Sequence, residues 1–525
     1  MVEYAYYYTL SAYFCQEFYG IIDEVKSNLK SFERMLNMNH KTITGTRLFT
    51  ALLAALLVCA GCAGSAGNAE TSGTTENTSS PSSDETTASL TSDDLPEKDF
   101  GGREFRIFSR LNPWYHGNWL VEEADGDVLN DAIYTRNSKV EDRFNLTFTE
   151  DGDTNTDRAK NSIIAGDDSY DIINARGSAG FEYAQENLLY SIADLPYINL
   201  GKSYWDKQLN DCVSMCGKSF FPIGASNLTS YDYTHVLVFN KKLADDNNVG
   251  DLYSLVNSGK WTLDEYAKIV DTFSKDLNGD SVMDEEDLYG YLSQPKAVLP
   301  AFWIASGVLS VNRNEADEPV FTMPSDEKFL NVFERVFAIT YDNNSWFRNS
   351  SETNYDDQFI NMFQNNKALF MDITFFYIES LRNMDADFGI IPYPKYDENQ
   401  ANYLSRIENC ELTCVPVTAD PEFASIILEA MASDSSDTVV KAYYNVALKT
   451  KFARDNESAD MLDIIFNNRV YDLGDTVWGD KLRDGVFKEM FTNNDRAISS
   501  KFESMRTVME KTISDAVKGF SGAGN

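Results

Sequence analysis

The sharpest chemical signal in this 525-residue sequence is the run Asp276-Leu-Asn-Gly-Asp-Ser-Val-Met-Asp-Glu-Glu-Asp287. Side-chain oxygens fall at positions 1, 3, 5, 9 and 12 of a twelve-residue loop, on Asp276, Asn278, Asp280, Asp284 and Asp287, and the Val282 carbonyl stands at position 7. A hard Ca²⁺ ion takes about six to eight oxygen ligands, and this spacing supplies them from one short segment. The expectation is a structural Ca²⁺ loop, with Ser281 where glycine is preferred for the turn. The bland alternative is an ordinary acidic surface loop.

Other chemistries find little support. The chain has three histidines, of which His116 and His235 follow the N-terminal region, and neither belongs to an HExxH-like spacing. GxSxG, P-loop and GxGxxG motifs are absent from the sequence. Carboxylates are abundant, but no spacing marks out an acid–base pair. The expectation is therefore a protein that is not an enzyme. A net charge of −37 excludes the clustered basic surface that nucleic acid requires, and it disfavours adsorption to anionic lipid. The tryptophans suit stacking on the C–H faces of sugars. Trp261 is set apart as a staple on Tyr266, because Thr262-Leu-Asp-Glu265 reads as a helix-capping box.

The elements that must position these residues begin with a divided N-terminus. Leu48 to Cys62 is an apolar run too short for a spanning helix and suited to a signal-peptide core. Its end, Ala60-Gly61-Cys62, resembles a lipobox, with Cys62 as the lipidated residue and membrane anchor. Residues 1–37 read as a leader upstream of a start at Met38, residues 38–61 as the signal peptide, and residues 62–97 as a flexible polar linker. Processing at Cys62 leaves four cysteines in two pairs, Cys212/Cys216 and Cys410/Cys414, in segments read as strands. Disulfides between the two segments are one reading and four buried thiols the other. Further on, residues 104–108, 146–148 and 170–173 read as strands, with helices at 130–144 and around 182–186. Alternation of this kind means an α/β domain with a largely parallel sheet.

Ser169-Tyr-Asp-Ile-Ile-Asn-Ala-Arg176, Thr234-His-Val-Leu-Val-Phe-Asn240, Gly259-Lys-Trp-Thr-Leu-Asp-Glu265, Lys367-Ala-Leu-Phe-Met-Asp372 and Phe388-Gly-Ile-Ile-Pro-Tyr-Pro394 follow one another in the sequence. Together they resemble family 1 extracellular solute-binding proteins, the receptors of ABC importers related to the maltose-binding protein. The resemblance implies an α/β, two-lobed periplasmic-binding-protein-like fold of type II, with the ligand cleft between lobes. It makes Lys367–Asp372 the return crossing, and places lobe one at 98–232 plus 375–432 and lobe two at 233–374 plus 433–525. It implies ligand contacts at Trp114, Tyr115, Asn174, Arg176, Ser178, Asp232, Tyr233, Trp303, Asp372 and Phe375. It further implies a monomer that captures a sugar or oligosaccharide by hinge closure and hands it to permease subunits at the outer face of the cell membrane. The rival expectations are a calcium-stabilised surface enzyme acting on polysaccharide and a carbohydrate-adhesion protein without a permease.

Overall fold

The computed structural model describes residues 92–521 apart from 114, 117, 118, 349–354 and 450–456, and for 355, 356 and 445–449 it describes the backbone alone. The lipidation site Cys62, the signal peptide and the leader lie outside the described residues.

Twelve strands are present among the described residues: β1 (Arg103–Arg110), β2 (Leu146–Asp153), β3 (Ile172–Arg176), β4 (His235–Asn240), β5 (Tyr289–Leu292), β6 (Val311–Arg313), β7 (Pro319–Phe321), β8 (Ala368–Thr374), β9 (Phe388–Ile391), β10 (Ser405–Arg406), β11 (Glu411–Cys414) and β12 (Arg469–Val470). They form two four-stranded sheets, ordered β11-β3-β1-β2 and β5-β8-β4-β9, and two small ribbons.

The first sheet is parallel in β2-β1-β3 and antiparallel only where β11 returns beside β3. Strand alternation divides its side chains between two layers. Phe105 and Ile107 face a core shared with Phe144 and Phe423, from the helices Val128–Phe144 and Pro421–Asp437. Phe108 and Ile173 face the opposite core. The Val128–Phe144 helix starts where Asp127 accepts the backbone N–H groups of Leu129 and Asn130, as an N-cap should.

The second sheet is covered on both faces, and β4 is buried throughout. Val236 and Val238 meet the helix Glu457–Phe466, whereas Leu237 and Phe239 meet Leu263–Val270 and Pro295–Ala305. Half of the capping box forms, with Thr262 Oγ accepting the Glu265 N–H at 3.4 Å while the Glu265 carboxylate turns to Lys268, and the staple forms as read, Trp261 lying edge-on to Tyr266 at 5.9 Å.

Four expectations are corrected here. Lys367–Asp372 is not a return crossing but β8, a central strand whose apolar run is buried on both faces. Residues 375–404 do not belong to lobe one, because β9 pairs antiparallel with β4. The return lies at 405–411, where Ile407 bridges Thr234 and the Glu408 N–H donates to the Tyr233 carbonyl at 3.1 Å. The linker ends earlier than residue 97: Arg143 holds Asp93 through two bonds of 2.7 and 2.8 Å, and Lys202 holds Asp94 at 2.7 Å. The disulfide reading also falls. Cys212 sits in the helix Lys207–Val213 rather than a strand, and all four described cysteines are free.

Candidate ligand-binding cleft

Between the two sheets lies a cavity of about 500 Å³, within the size range of small-molecule sites. Arg110, Asn112 and Arg176 reach it from the strand ends of the first sheet, and Asp372 and Thr374 from β8 of the second. Tyr233, His235, Glu408 and Asn409 line it from the two crossing segments. Gln294 and Lys296 stand at the start of the Pro295–Ala305 helix, and Arg483 and Asp484 close another wall. Strand C-termini and crossings are where open α/β sheets place ligands.

A buried charge lattice holds the floor. Asp372 accepts from His235 Nδ1 at 2.8 Å and from the Ser293 hydroxyl at 2.9 Å. Arg406 Nη1 lies 2.8 Å from His235 Nε2. The same Nε2 lies 3.4 Å from Glu408 Oε2, so the ring stands between two carboxylates and a guanidinium. Arg406 also grips Asp475 through two bonds, at 2.6 and 3.0 Å, with neither side chain exposed. Lys296 reaches Glu408 at 2.6 Å, and Arg483 embraces Asp484 at 2.9 and 2.7 Å. Burial works to push the Glu408 and Asp372 carboxyls up, yet Glu408 is held well below its usual range by Lys296, Arg483 and Arg406. Asp372 is likewise held low by His235, Tyr393 and Ser293.

Glu411 behaves in the opposite sense. Burial pushes its carboxyl up to about 7, against the pull of Arg110. One oxygen accepts from Arg110 at 2.6 Å, while the other has no partner among the described residues.

Of the residues expected to meet ligand, Arg176, Tyr233 and Asp372 line this cavity. Tyr115 is packed behind Tyr233 with ring centroids 5.6 Å apart, and its hydroxyl donates to the Arg110 carbonyl. Ser178 lies one turn away, on an adjoining cavity of about 830 Å³ that shares Arg176 and Asp484 with the first. Trp114 lies outside the described residues.

The remaining expectations are corrected by burial. Trp303 is 0% exposed, packs on Phe329 and Phe487, and donates its indole N–H to Asp472 at 3.2 Å. Asn174 is buried within the first sheet, bonded to Ser109 and Thr413. Phe375 packs against Tyr443 and Phe466. Asp232 is a hinge strut, accepting from the His116 backbone at 2.6 Å and the Tyr443 hydroxyl at 2.6 Å. Among the described residues the aromatic rings on the cavity wall are Tyr233 and Tyr377.

The residues that sequence reasoning missed are Asn112, Gln294, Lys296, Glu408, Asn409, Arg483 and Asp484. One local cue existed: Arg406, Glu408 and Glu411 punctuate an otherwise buried stretch, and buried charges demand partners.

The Asp276–Asp287 loop sits apart from the cleft, and its carboxylates are turned onto its own backbone. Asp276 accepts from the N–H groups of Gly279 and Ser281 at 2.6 and 2.8 Å, and Asp287 from those of Leu277 and Asp284 at 2.8 and 3.0 Å. Ser281 adopts φ 68°, the left-handed conformation for which glycine is preferred. Among the described residues no group of three or more His, Cys, Asp or Glu side chains is gathered as a ready metal site.

No protein-family model matches the chain, and no curated relative does. Solved structures do. The ABC substrate-binding protein Lmo0181 from Listeria monocytogenes, in complex with cycloalternan, is similar at 11% identity and TM-score 0.51, covering 79% of this chain and 99% of its own. A family 1 extracellular solute-binding protein from Bifidobacterium longum subsp. infantis matches at 12% identity and TM-score 0.51, covering 78% of this chain and 100% of its own. UgpB from Mycobacterium tuberculosis, in complex with glycerophosphocholine, matches at 12% identity and TM-score 0.50, covering 79% and 98%. With two sheets facing one cleft and nearly the whole length of each solved chain accounted for, this chain has the two-lobed fold of the extracellular solute-binding proteins.

Proposed function

We propose that the protein is the solute-binding receptor of an ABC importer, anchored outside the cell membrane by a lipid on Cys62 and working as a monomer. Its ligand is a sugar or oligosaccharide, passed to the permease subunits after capture. The observation that carries this reading is the cleft itself, walled by both lobes and crossed by the segments at 229–235 and 405–411. A ligand that touches Arg110 and Tyr233 on one side and Lys296 and Asp372 on the other stabilises the closed arrangement, and closure is the signal a permease can read. The wall offers guanidinium, amide, carboxylate and tyrosine groups, which suits a hydroxyl-rich ligand.

Against an enzyme stands the state of the cleft carboxyls. A glycosidase needs one acid whose pKa is raised so that it keeps its proton at neutral pH. Glu408 and Asp372 are both held low and committed to neighbouring cations or donors, and Glu411, the carboxyl raised to about 7, is buried on Arg110 and is not part of the cavity lining. Among the described residues no helix is long and apolar enough to cross a membrane.

Ca²⁺ in the Asp276–Asp287 loop remains part of this reading as a structural ion. The turn at Ser281 already brings Asp276 and Asp280 onto the inside of the loop, where their oxygens bond backbone N–H groups that an ion would compete with. Elemental analysis with EGTA dialysis tests it: loss of bound calcium with a lowered melting temperature is expected, and an unchanged melting temperature without bound calcium would defeat it.

The test of the main reading is calorimetry and thermal shift with a panel of soluble oligosaccharides. One glycan should bind near micromolar and be recovered unconsumed. Product formation would instead favour the surface enzyme.

A further inference from the structure

We propose that the ligand of this cleft is an acidic saccharide, one that carries a carboxylate, sulfate or phosphate, and that Arg176 is the residue that binds its oxyanion. The inference rests on the solute-binding reading above and narrows it. It comes from an account of charge around the cleft.

Every other cation on the wall is matched. Arg110 has Glu411 at 2.6 Å, Lys296 has Glu408 at 2.6 Å, and Arg483 has Asp484 at 2.7 Å. The adjoining cavity repeats the pattern, with Lys481 on Asp480 at 2.8 Å and Lys511 on Asp515 at 2.6 Å. Arg176 is different. It lines both cavities, and among the described residues its guanidinium has neither a hydrogen bond nor an ion pair.

The nearest candidate to match it is already in use. Glu411 stands opposite Arg176 in the β3–β11 register, but its one bonded oxygen is held by Arg110 and the other makes no bond to Arg176. Two arginines therefore face one carboxylate, and although Asp357 and Asp372 also line the first cavity, neither bonds Arg176, whose N–H donors are left unfilled. A planar guanidinium presents parallel N–H donors that fit a two-oxygen anion better than a single hydroxyl. Low-dielectric walls strengthen that preference.

The two chambers also fix where the anion must lie on the ligand. Each is of a size to hold a small ligand, at about 500 and 830 Å³. The first offers Tyr233 and Tyr377, the second Trp478, as surfaces for sugar faces. A saccharide occupying both would pass Arg176 in mid-chain, so an acidic unit with neighbours on each side is the expected form rather than an isolated sugar acid.

The experiment is calorimetry on the full protein with tetragalacturonate, a sulfated disaccharide from chondroitin, glucose 1-phosphate and the neutral maltotetraose, repeated on Arg176→Gln and Arg176→Lys. Binding of at least one acidic probe is expected, tighter than that of maltotetraose, and the probe that binds identifies the oxyanion. Arg176→Gln should weaken it by about 10- to 100-fold, with Arg176→Lys in between and the melting temperature of both variants near that of the parent. Three results overturn the inference while leaving a solute-binding protein: maltotetraose binding with no acidic probe binding, acidic binding undiminished in Arg176→Gln, or equal affinity for acidic and neutral probes. Failure of all four probes, and of a wider neutral panel, would count against the solute-binding reading itself and remove the inference with it.

Discussion

Two acidic regions of this molecule solve the same problem in opposite ways. In the Asp276–Asp287 loop the carboxylates are satisfied by backbone N–H groups a few residues away, on the solvent side of the second lobe. In the cleft floor Asp372, Glu408 and Asp475 are satisfied by His235, Lys296, Arg406 and Arg483, which arrive from distant parts of the chain. The first arrangement is local, and at Asp276 it is exposed, so losing one bond there exchanges it for water, whereas Asp287 is buried at the loop's end. The second is buried, where an unpaired charge has no substitute. The lesson is that equal numbers of carboxylates carry unequal consequences, decided by what can replace a lost partner.

The contrast can be broken most severely at Arg406. Arg406→Met should cost about 3–5 kcal/mol, because Asp475 stays buried without its bidentate partner. Urea denaturation measures it, and adding Asp475→Leu should recover a large part of the loss. Equal losses in the single and double variants would show that the pair is not energetically coupled.

Acidity sharpens the comparison next. Glu408 and Asp372 titrate lower in the fold than free, so their stabilisation is present above their ordinary values of 4.5 and 3.8 and is lost as pH falls through the lower folded values. Glu411 has the opposite sign: raised from 4.5 to about 7, it contributes fully below 4.5 and loses that contribution as pH rises through about 7. Stability should therefore fall on both flanks of a mildly acidic optimum. Glu411→Gln should flatten the neutral flank and leave the acid flank in place, as read by urea midpoints across the pH range.

Smaller effects belong to the local side. Ser281→Gly removes a side chain from a left-handed position and should stabilise by about 1 kcal/mol, seen as a higher melting temperature. Thr262→Ala, at a cap whose bond is 3.4 Å long, should cost about 0.5 kcal/mol by the same measurement.

The same division explains what could be read from sequence. Helix Val128–Phe144 and the Thr262 cap were legible because neighbours a few residues apart define them, and the parallel β2-β1-β3 arrangement because strands alternate with helices along the chain. Strand β9 was placed in the wrong lobe because its partner β4 lies far upstream and its own residues, Phe-Gly-Ile-Ile, fit any buried strand. Trp303 looked like a sugar platform, since a helix that is apolar all round gives no sign of which face meets the cleft. Arg406, Glu408 and Arg483 were invisible as a set, because only the fold brings them together. Arg176 and Asp372 were found through the family resemblance, not through spacing.

The placement of β9 has a consequence for how the molecule comes into being. That edge strand is covered by the helix Glu457–Phe466, through Leu462, Ile465 and Phe466 against Phe388 and Ile390. The covering helix comes only after the chain has returned to build β11 and Pro421–Asp437 in the first lobe. On the ribosome, then, a nearly finished second sheet must wait with one edge and one greasy face bare while that excursion is synthesised. Such an interval is when an unpaired edge recruits other chains. Slowed elongation downstream of residue 391 should lower the soluble yield of this protein more than the same delay placed near its end.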